Sequence, residues 1–256
     1  MSDFKQEVTK LQPRIDYQLY LSSSWGMEVA INSSQLWPCA SLIKLGIAEY
    51  GQQIALKKPE LLTEKVTLLP ADIVGGAGTL QLLSPQTYTV KDLLQLMLIQ
   101  SDNTATNALL STWQLAKIQA WLNQNYPQVL LQRRLMAPAV NGENLATAKS
   151  IAQLLAACFD YQDEYGQTVQ VSLHHQMSHD KLVWPVNIGE YTKIKTYNKT
   201  GELLGYDHDA ARFYLGDAWL DCVVMTKYAT GKRSQAVTFL QSVGRLLCQT
   251  LVEYQQ

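Results

Sequence analysis

The chain has 256 residues, with 21 Lys or Arg against 22 Asp or Glu and a formal net charge of -1. This balance, without any long basic block, excludes nucleic acid as an expected partner. Hydrophobic residues make up 47% of the chain and predict a folded globular protein. The apolar runs, of which residues 93–99 are among the longest, are too short to cross a bilayer, so we expect no membrane span.

The first residues and the cysteines bear on the compartment. Residues 1–7 lack the apolar core of a secretory signal, so we expect a cytoplasmic protein for the chain as given, and an extracellular one if a leader has been removed. The four cysteines lie in apolar surroundings without metal or redox spacing, which predicts buried free thiols. The histidines at 174, 175 and 179 show no zinc-ligand spacing either, so we expect no metal.

The first part of the chain predicts a hairpin followed by helices. Residues 16–22 and 26–32 alternate like two half-buried strands, and a helix is predicted from Ser41 to about residue 53. Residues 59–161 are mostly helical, with glycine and proline breaks at 75–78 and 84–87. A capping-box pattern at residues 89–92 begins a buried helix that ends at Gln100, and a loop at 133–147 precedes a helix to about residue 159.

The last part of the chain returns to a period of two. Residues 194–200, 211–215 and 219–226 predict antiparallel strands, and residues 235–254 predict a long closing helix. Strands at both ends with helices between them predict an α/β (α+β) fold. One lobe would comprise residues 1–38 and 190–256 and a helical lobe residues 39–189, in one structural unit with the active site between the lobes.

A serine and a lysine lie at the start of the first long helix. Ser41 and Lys44 are three residues apart, so they share one helix face, and the helix N-terminus favours negative charge beside Ser41. A buried lysine has a lowered pKa and can accept the proton of a serine nucleophile. The pattern alone is weak, because Ser178 and Lys181 repeat it in a polar stretch without an apolar helix, and because a capping serine is an ordinary feature.

Two further motifs make the Ser41–Lys44 pattern more specific. Ser101-Asp102-Asn103 follows the buried helix, and Lys199-Thr200-Gly201 lies in a predicted strand. With Ser41 and Lys44 they form, in order, the SxxK, SDN and KTG set of penicillin-binding serine enzymes. On these motifs, and on residues 74–80 and 198–203, the chain resembles the class A β-lactamase and penicillin-binding-protein superfamily over nearly its whole length. The resemblance implies a five-stranded antiparallel sheet flanked by terminal helices, a helical lobe and no cofactor.

The resemblance also implies which residues carry the acyl transfer. Ser41 would be the nucleophile, Lys44 its proton acceptor, and Ser101 the relay to the leaving group. The backbone N–H groups of Ser41 and Glu202 would form the oxyanion hole. Glu202 is larger than the residue that lactamases usually have there, and its side chain could point away, since only its N–H is needed.

A second set of residues would bind the substrate. Asn103 would position Lys44 and the substrate amide, while Lys199 and Thr200 would hold the substrate carboxylate. Gly201 would keep the strand bare, so that substrate can lie along its edge. Tyr206 to Asp209 are placed on the turn that follows, where His208 either touches an anionic substrate or is a surface histidine.

One expected group is missing from the loop before residue 147. Class A β-lactamases have an acidic residue there that activates the water for deacylation, and residues 133–142 contain none. Glu143 either replaces it or is a charge near the N-terminus of the following helix.

We therefore predict a class A β-lactamase-like serine hydrolase acting on β-lactams or related amides and esters through an acyl-serine, with a role in antibiotic response. The alternatives are a D-alanyl-D-alanine carboxypeptidase or esterase, which would require export, and a penicillin-binding sensor that acylates without turnover. The expected partner is a small β-lactam or peptidoglycan-like substrate, and we expect a monomer.

Overall fold

The computed structural model describes residues 4–11, 13–84, 86–140 and 142–256. The residues outside this description are Met1 to Asp3, Gln12, Pro85 and Asn141. They belong to the N-terminal segment and to the predicted breaks and loops. The strands are β1 (Asp16–Ser23), β2 (Glu28–Ile31), β3 (Trp37–Pro38), β4 (Lys65–Thr67), β5 (Thr87–Thr89), β6 (Val129–Leu130), β7 (Leu145–Ala146), β8 (Lys195–Leu203), β9 (Tyr206–Leu215) and β10 (Ala218–Lys227). The helices are α1 (Phe4–Lys10), α2 (Ile43–Ala55), α3 (Val90–Ile99), α4 (Asn103–Trp113), α5 (Leu115–Asn125), α6 (Ala148–Ala157), α7 (Glu164–His174), α8 (Trp184–Asn187) and α9 (Arg233–Gln255).

A five-stranded sheet in the order β2-β1-β10-β9-β8 is the framework of the molecule. All of its pairs are antiparallel, and β8 forms one edge. The predicted hairpin is present, with Leu19 opposite Ile31. The predicted mixed α/β fold with its five-stranded antiparallel sheet is confirmed.

The start of β9 differs from the prediction. The sequence predicts a strand only from residue 211, whereas β9 begins at Tyr206. The extra residues include Asp207, His208 and Asp209, all of which are fully buried polar residues. Because the strand is buried on both faces, it lacks the alternation of apolar and polar residues by which a half-buried strand is recognised.

Side-chain caps stabilise the starts of α3 and α6. Thr89 and Asp92 form the predicted capping box at α3, and Thr147 caps α6 by accepting from the N–H of Ser150. The predicted helix start at Ser41 is a 3₁₀ turn over Ala40–Leu42, and regular α-helix begins at Ile43.

Two apolar clusters lie on the two faces of the sheet. One contains α2 to α7 together with Ala210, Val223 and Met225, and the other contains α1, α9 and the alternate residues Ala211, Cys222 and Val224. This is the period of two expected for neighbouring strands that are covered on both sides. The exact lobe boundaries, 1–38 with 190–256 and 39–189, stay a prediction.

The cysteines and the helix lengths agree with the sequence. The four cysteines, Cys39, Cys158, Cys222 and Cys248, are free and buried, as predicted. Within the described residues, no helix combines the length and the hydropathy needed to cross a membrane.

Candidate active site

The predicted site residues meet in one cleft between the start of α2, the start of α4 and the edge strand β8. The cleft has a volume of about 320 Å³, and its wall includes Ser41, Ser101, Asn103, Thr200 and Glu202. Lys44 and Lys199 are fully buried behind this wall. The structure therefore brings together motifs that are far apart in the sequence.

The serine and lysine of the first motif are in direct contact. Ser41 lies in the 3₁₀ turn, and Lys44 in the first turn of α2 donates from Nζ to Ser41 Oγ at 3.1 Å. Ala40, just before Ser41, has a φ of 47°, a left-handed conformation that is unfavourable for a residue with a Cβ. Such strain is often found where a backbone must place a functional group.

The groups that accept hydrogen bonds from Lys44 are all neutral. Its Nζ donates to the Ser101 carbonyl at 2.5 Å, to Ser101 Oγ at 3.0 Å and to Asn103 Oδ1 at 3.0 Å. Burial, and secondly the positive charge of Lys199, lower the pKa of Lys44 well below its ordinary value, although Asp102 acts in the opposite direction. The environment thus favours the neutral amine, which is the form that can accept a proton.

Ser101 joins the two buried lysines. Its Oγ accepts from Lys44 and also from Lys199 Nζ, each at 3.0 Å, and its φ of 56° is again left-handed. Burial, and then the charge of Lys181, lower the pKa of Lys199 to about 7. Ser41, Lys44, Ser101 and Lys199 therefore form a continuous hydrogen-bonded chain along which a proton can move.

Asp102 and the preceding glycine-rich segment hold the SDN motif in place. Asp102 accepts from the N–H of Ala105 at 2.9 Å, which caps α4, and from the N–H of Leu80 at 2.8 Å. A Cβ on Gly78, which has a φ of 98°, would lie 2.2 Å from the Asp102 carboxylate. Gly78 therefore allows the close approach that positions Asp102.

Gly201 also serves a close approach. A Cβ at this position would lie 3.0 Å from the Cys39 carbonyl oxygen and 3.2 Å from Leu42 Cγ. The structure thus gives this glycine a different reason from the predicted bare surface for substrate, because it lets β8 pack on the turn that carries Ser41. Since β8 is the edge strand, alternate backbone groups along it have no partner strand within the sheet.

The Glu202 carboxylate is paired with two cations. Its carboxylate is 2.8 Å from Lys181 and 3.4 Å from Arg233, and it is half exposed. Lys181 is fully buried and also pairs with Asp207 at 2.9 Å. Burial lowers the pKa of Lys181, but Asp207 and then Glu202 outweigh this effect and raise it. Lys181 lies in a polar stretch of the sequence, and nothing in that stretch indicates this ion pair.

Both predicted roles of His208 are wrong. The ring is fully buried, with Nε2 2.8 Å from the Pro38 carbonyl and Nδ1 accepting from the N–H of Thr226 at 3.2 Å. Nε2 therefore donates to Pro38, and both ring nitrogens are occupied within the fold. Burial lowers the pKa of His208 to about 4, so the ring is neutral at pH 7.

Glu143 lines the cleft, but its carboxylate is already bound. Arg133 donates to both of its oxygens, at 2.8 and 3.0 Å, and the N–H of Asn144 donates at 2.9 Å. The N-cap of α6 is Thr147 and not Glu143. The predicted loop thus closes on an Arg–Glu pair whose bidentate geometry is strong and directional.

The described residues contain no group of three or more His, Cys, Asp or Glu that could hold a metal ion.

Comparisons with known proteins agree with the fold. The chain resembles the structure of a β-lactamase from Sphaerobacter thermophilus, with 23% identity, a TM-score of 0.85 and coverage of 98% of this chain and 97% of the other. It resembles the structure of PBP-A with 21% identity, a TM-score of 0.85 and coverage of 99% and 97%. A class A β-lactamase from Mycobacterium abscessus gives 16% identity, a TM-score of 0.83 and coverage of 96% and 98%.

These structural likenesses show the fold. A comparison with curated protein sequences found no significant match. The model of the β-lactamase enzyme family matches residues 4–251, almost the entire chain. The chain therefore belongs to the β-lactamase enzyme family.

Proposed function

We propose that this protein is a class A β-lactamase-like serine hydrolase that forms an acyl-enzyme on Ser41 with β-lactams or related amides and esters. The observation that carries the proposal is the chain Ser41–Lys44–Ser101–Lys199, in which every contact is between 3.0 and 3.1 Å. A hydrolase without this chemistry would have no need to bury two lysines against neutral partners, because buried amines are unfavourable unless paired.

In acylation, Ser41 Oγ attacks the carbonyl carbon and neutral Lys44 takes its proton. As the carbon–nitrogen or carbon–oxygen bond of the substrate breaks, Ser101 passes a proton to the leaving atom and is reprotonated along the chain. The backbone N–H groups of Ser41 and Glu202 would bind the developing oxyanion. The N–H of Ser41 is suited to this because the first N–H groups of a helix have no partner within it.

Substrate would lie against β8 with its carboxylate at Thr200, near the charge of Lys199. Asn103 donates from Nδ2 to the Gly75 carbonyl at 3.2 Å and accepts from Lys44, so its amide orientation is fixed. These contacts support the proposed role of Asn103 as a positioning group for Lys44 at the cleft wall.

Deacylation is the step in which this chain differs from a class A β-lactamase. Glu143 is the only carboxylate of the segment 133–147, and Arg133 binds it. Both carboxylate oxygens already accept hydrogen bonds from the guanidinium, so Glu143 would have to leave Arg133 before it could hold and deprotonate a water. This observation favours the alternatives in which the acyl-enzyme persists, namely a sensor or a slow peptidase or esterase.

Two measurements test the proposal. Intact mass spectrometry after mixing with a penicillin should show one covalent adduct, and its decay distinguishes rapid turnover from a lasting acyl-enzyme. With a chromogenic cephalosporin we expect a burst near one equivalent of enzyme, followed by a slow phase, because loss of a general base slows deacylation by about 10²–10⁴-fold. If the protein forms no adduct and turns over neither β-lactams nor simple esters, the proposed function is wrong.

Glu143→Gln separates the two readings of the loop. If Glu143 activates the water, the variant slows only the steady phase by about 10²–10⁴-fold. Because Arg133 holds the carboxylate, we expect less than about a threefold change in the steady phase, with the main effect on loop stability. Arg133→Gln provides the matched partner, since a structural pair predicts the same kinetics for both variants.

A further inference from the structure

A buried glutamine contacts the KTG threonine. Gln176 follows α7, is only 1% exposed, and donates from Nε2 to Thr200 Oγ1 at 3.2 Å. Its Oε1 accepts from the N–H of Ser178. Gln176 is not among the residues that line the cleft, and it reaches the site through Thr200 and the backbone of Ser178, which do line it.

The backbone fixes which way the Gln176 amide points. An N–H group can only donate, so the atom facing Ser178 must be the oxygen and the atom facing Thr200 must be the nitrogen. The Thr200 hydroxyl is then an acceptor towards Gln176, and its own proton is directed elsewhere. No described residue accepts this proton, although Thr200 is only 4% exposed.

The segment that carries Gln176 is itself anchored at both motifs. The N–H of Met177 donates to the Ile99 carbonyl at 3.0 Å, at the end of α3 and just before the SDN motif. Asn198 donates from Nδ2 to the Ser178 carbonyl at 3.2 Å, just before the KTG motif. These bonds hold Ser178 N–H, and through it the Gln176 amide, in one orientation.

We propose that Gln176 is a positioning residue that keeps the Thr200 hydroxyl as a hydrogen-bond donor into the cleft and so sets a preference for substrates with a carboxylate. The proposal rests on the proposed function of the cleft. A hydroxyl that donates to a charged oxygen contributes more than one that donates to a neutral group, so fixing the proton favours anionic over neutral substrates.

Gln176→Glu tests the proposal at nearly constant shape. One carboxylate oxygen can still accept from Ser178 N–H, and the other accepts the Thr200 proton, which turns the donor away from substrate. We expect KM for a carboxylate-bearing β-lactam or ester to rise about 10- to 100-fold, the range for a lost hydrogen bond to a charged group. KM for the matching methyl ester and kcat for both substrates should change less than about threefold.

Gln170→Glu is the matched control. Gln170 lies on α7, the helix that precedes Gln176, and donates to the carbonyls of Cys158 and Tyr161, so this change introduces the same carboxylate nearby in the chain without touching Thr200. We expect its KM values to stay within about threefold of the parent, because the donor at Thr200 is retained. An equal KM increase in Gln170→Glu would assign the effect to helix packing and overturn the proposal.

A double-mutant cycle with Thr200 gives the decisive result. In a Thr200→Val background, Gln176→Glu should raise KM no further, whereas in a Thr200→Ser background, which keeps the hydroxyl, it should raise KM as in the parent. Additive effects with Thr200→Val overturn the proposal. If the parent forms no adduct, both the proposed function and this inference are wrong. If the parent forms an adduct but the effects of the two substitutions on KM are additive, only this inference is wrong.

Discussion

Two copies of the same four-residue pattern have opposite surroundings in this molecule. In Ser41 to Lys44, the lysine has only neutral hydrogen-bond partners, and its pKa is lowered. In Ser178 to Lys181, the lysine pairs with the carboxylates of Asp207 and Glu202, and its pKa is raised. Both amines are fully buried, so burial alone does not make a base. The charge of the partners decides which lysine can accept a proton.

The serines differ in the same way. Ser41 receives a hydrogen bond from Lys44 at the start of α2. Ser178 is engaged through its backbone, with its N–H donating to Gln176 and its carbonyl accepting from Asn198. Lys181, meanwhile, is held by carboxylates. The second pattern therefore supports the KTG strand and has no base with which to activate a serine.

The largest expected effect is at the serines. Ser41→Ala should abolish covalent labelling by any β-lactam or fluorophosphonate that labels the parent, because the nucleophilic oxygen is gone. Ser178→Ala should still be labelled, since the contacts of Ser178 described above use its backbone. Intact mass spectrometry of both variants measures this, and an adduct that survives Ser41→Ala would contradict the assignment of the nucleophile.

The next effect concerns the base. Lys44→Ala should slow acylation by about 10²–10⁴-fold, the usual contribution of a positioned general base. Stopped-flow measurement of the acylation phase against pH gives the comparison, and circular dichroism controls for folding. In the parent, acylation should increase with pH as Lys44 loses its proton. Equal acylation rates in the two proteins would point to a different base.

The sequence predicts those parts of the site that are local in the chain. Each of these parts spans only a few consecutive residues: Ser41 with Lys44, the cap at Thr89, and the SDN and KTG motifs. Helix and strand periodicity predicts the element on which each of them lies. Features that depend on distant partners could not be predicted. The carboxylates that bind Lys181 are 21 and 26 residues further on, and no periodicity links them.

The same limit explains the errors. His208 was placed on a turn because polar residues surround it, and its real partners, Pro38 and Thr226, come from two other strands. For Glu143 the sequence left two roles open, water activation and a charge near a helix start, and gave no sign that Arg133, ten residues earlier, binds its carboxylate through two hydrogen bonds. Polar residues that are satisfied by tertiary contacts resemble surface residues when only the sequence is considered.

Removing the lysine of the second pattern should destabilise the fold. Lys181→Met removes the buried cation shared by Asp207 and Glu202 and leaves them only the half-exposed Arg233. Breaking a buried pair costs about 3–5 kcal/mol. Lys58→Met is the matched control, because Lys58 pairs with Glu64 at the surface and such pairs contribute about 0–1 kcal/mol. Urea unfolding at pH 7 measures both. A loss in Lys181→Met no larger than in Lys58→Met would show that the buried pair adds nothing.

The smallest expected effect is a difference in how the two lysines couple stability to pH. The folded pKa of Lys44 lies below its unfolded value of 10.5, so between these two values the unfolded state binds more protons and stability rises with pH. The folded pKa of Lys181 lies above 10.5, so its contribution is fully present below pH 10.5 and is lost only as pH rises through the folded value.

Urea unfolding at pH 7.5 and 9.5 tests this difference in sign. Lys44→Met should lose part of the rise in unfolding free energy that the parent shows, so the gap between variant and parent should change over this interval, by at most about 1.4 kcal/mol per pH unit for one proton. Lys199, with a folded pKa of about 7, contributes a similar rise in both proteins and cancels in the comparison. The gap between Lys181→Met and the parent should stay constant, because Lys181 is protonated throughout. If Lys44→Met and Lys181→Met show the same pH dependence, the two buried amines have the same charge in the folded protein, and the contrast between base and structural cation is wrong.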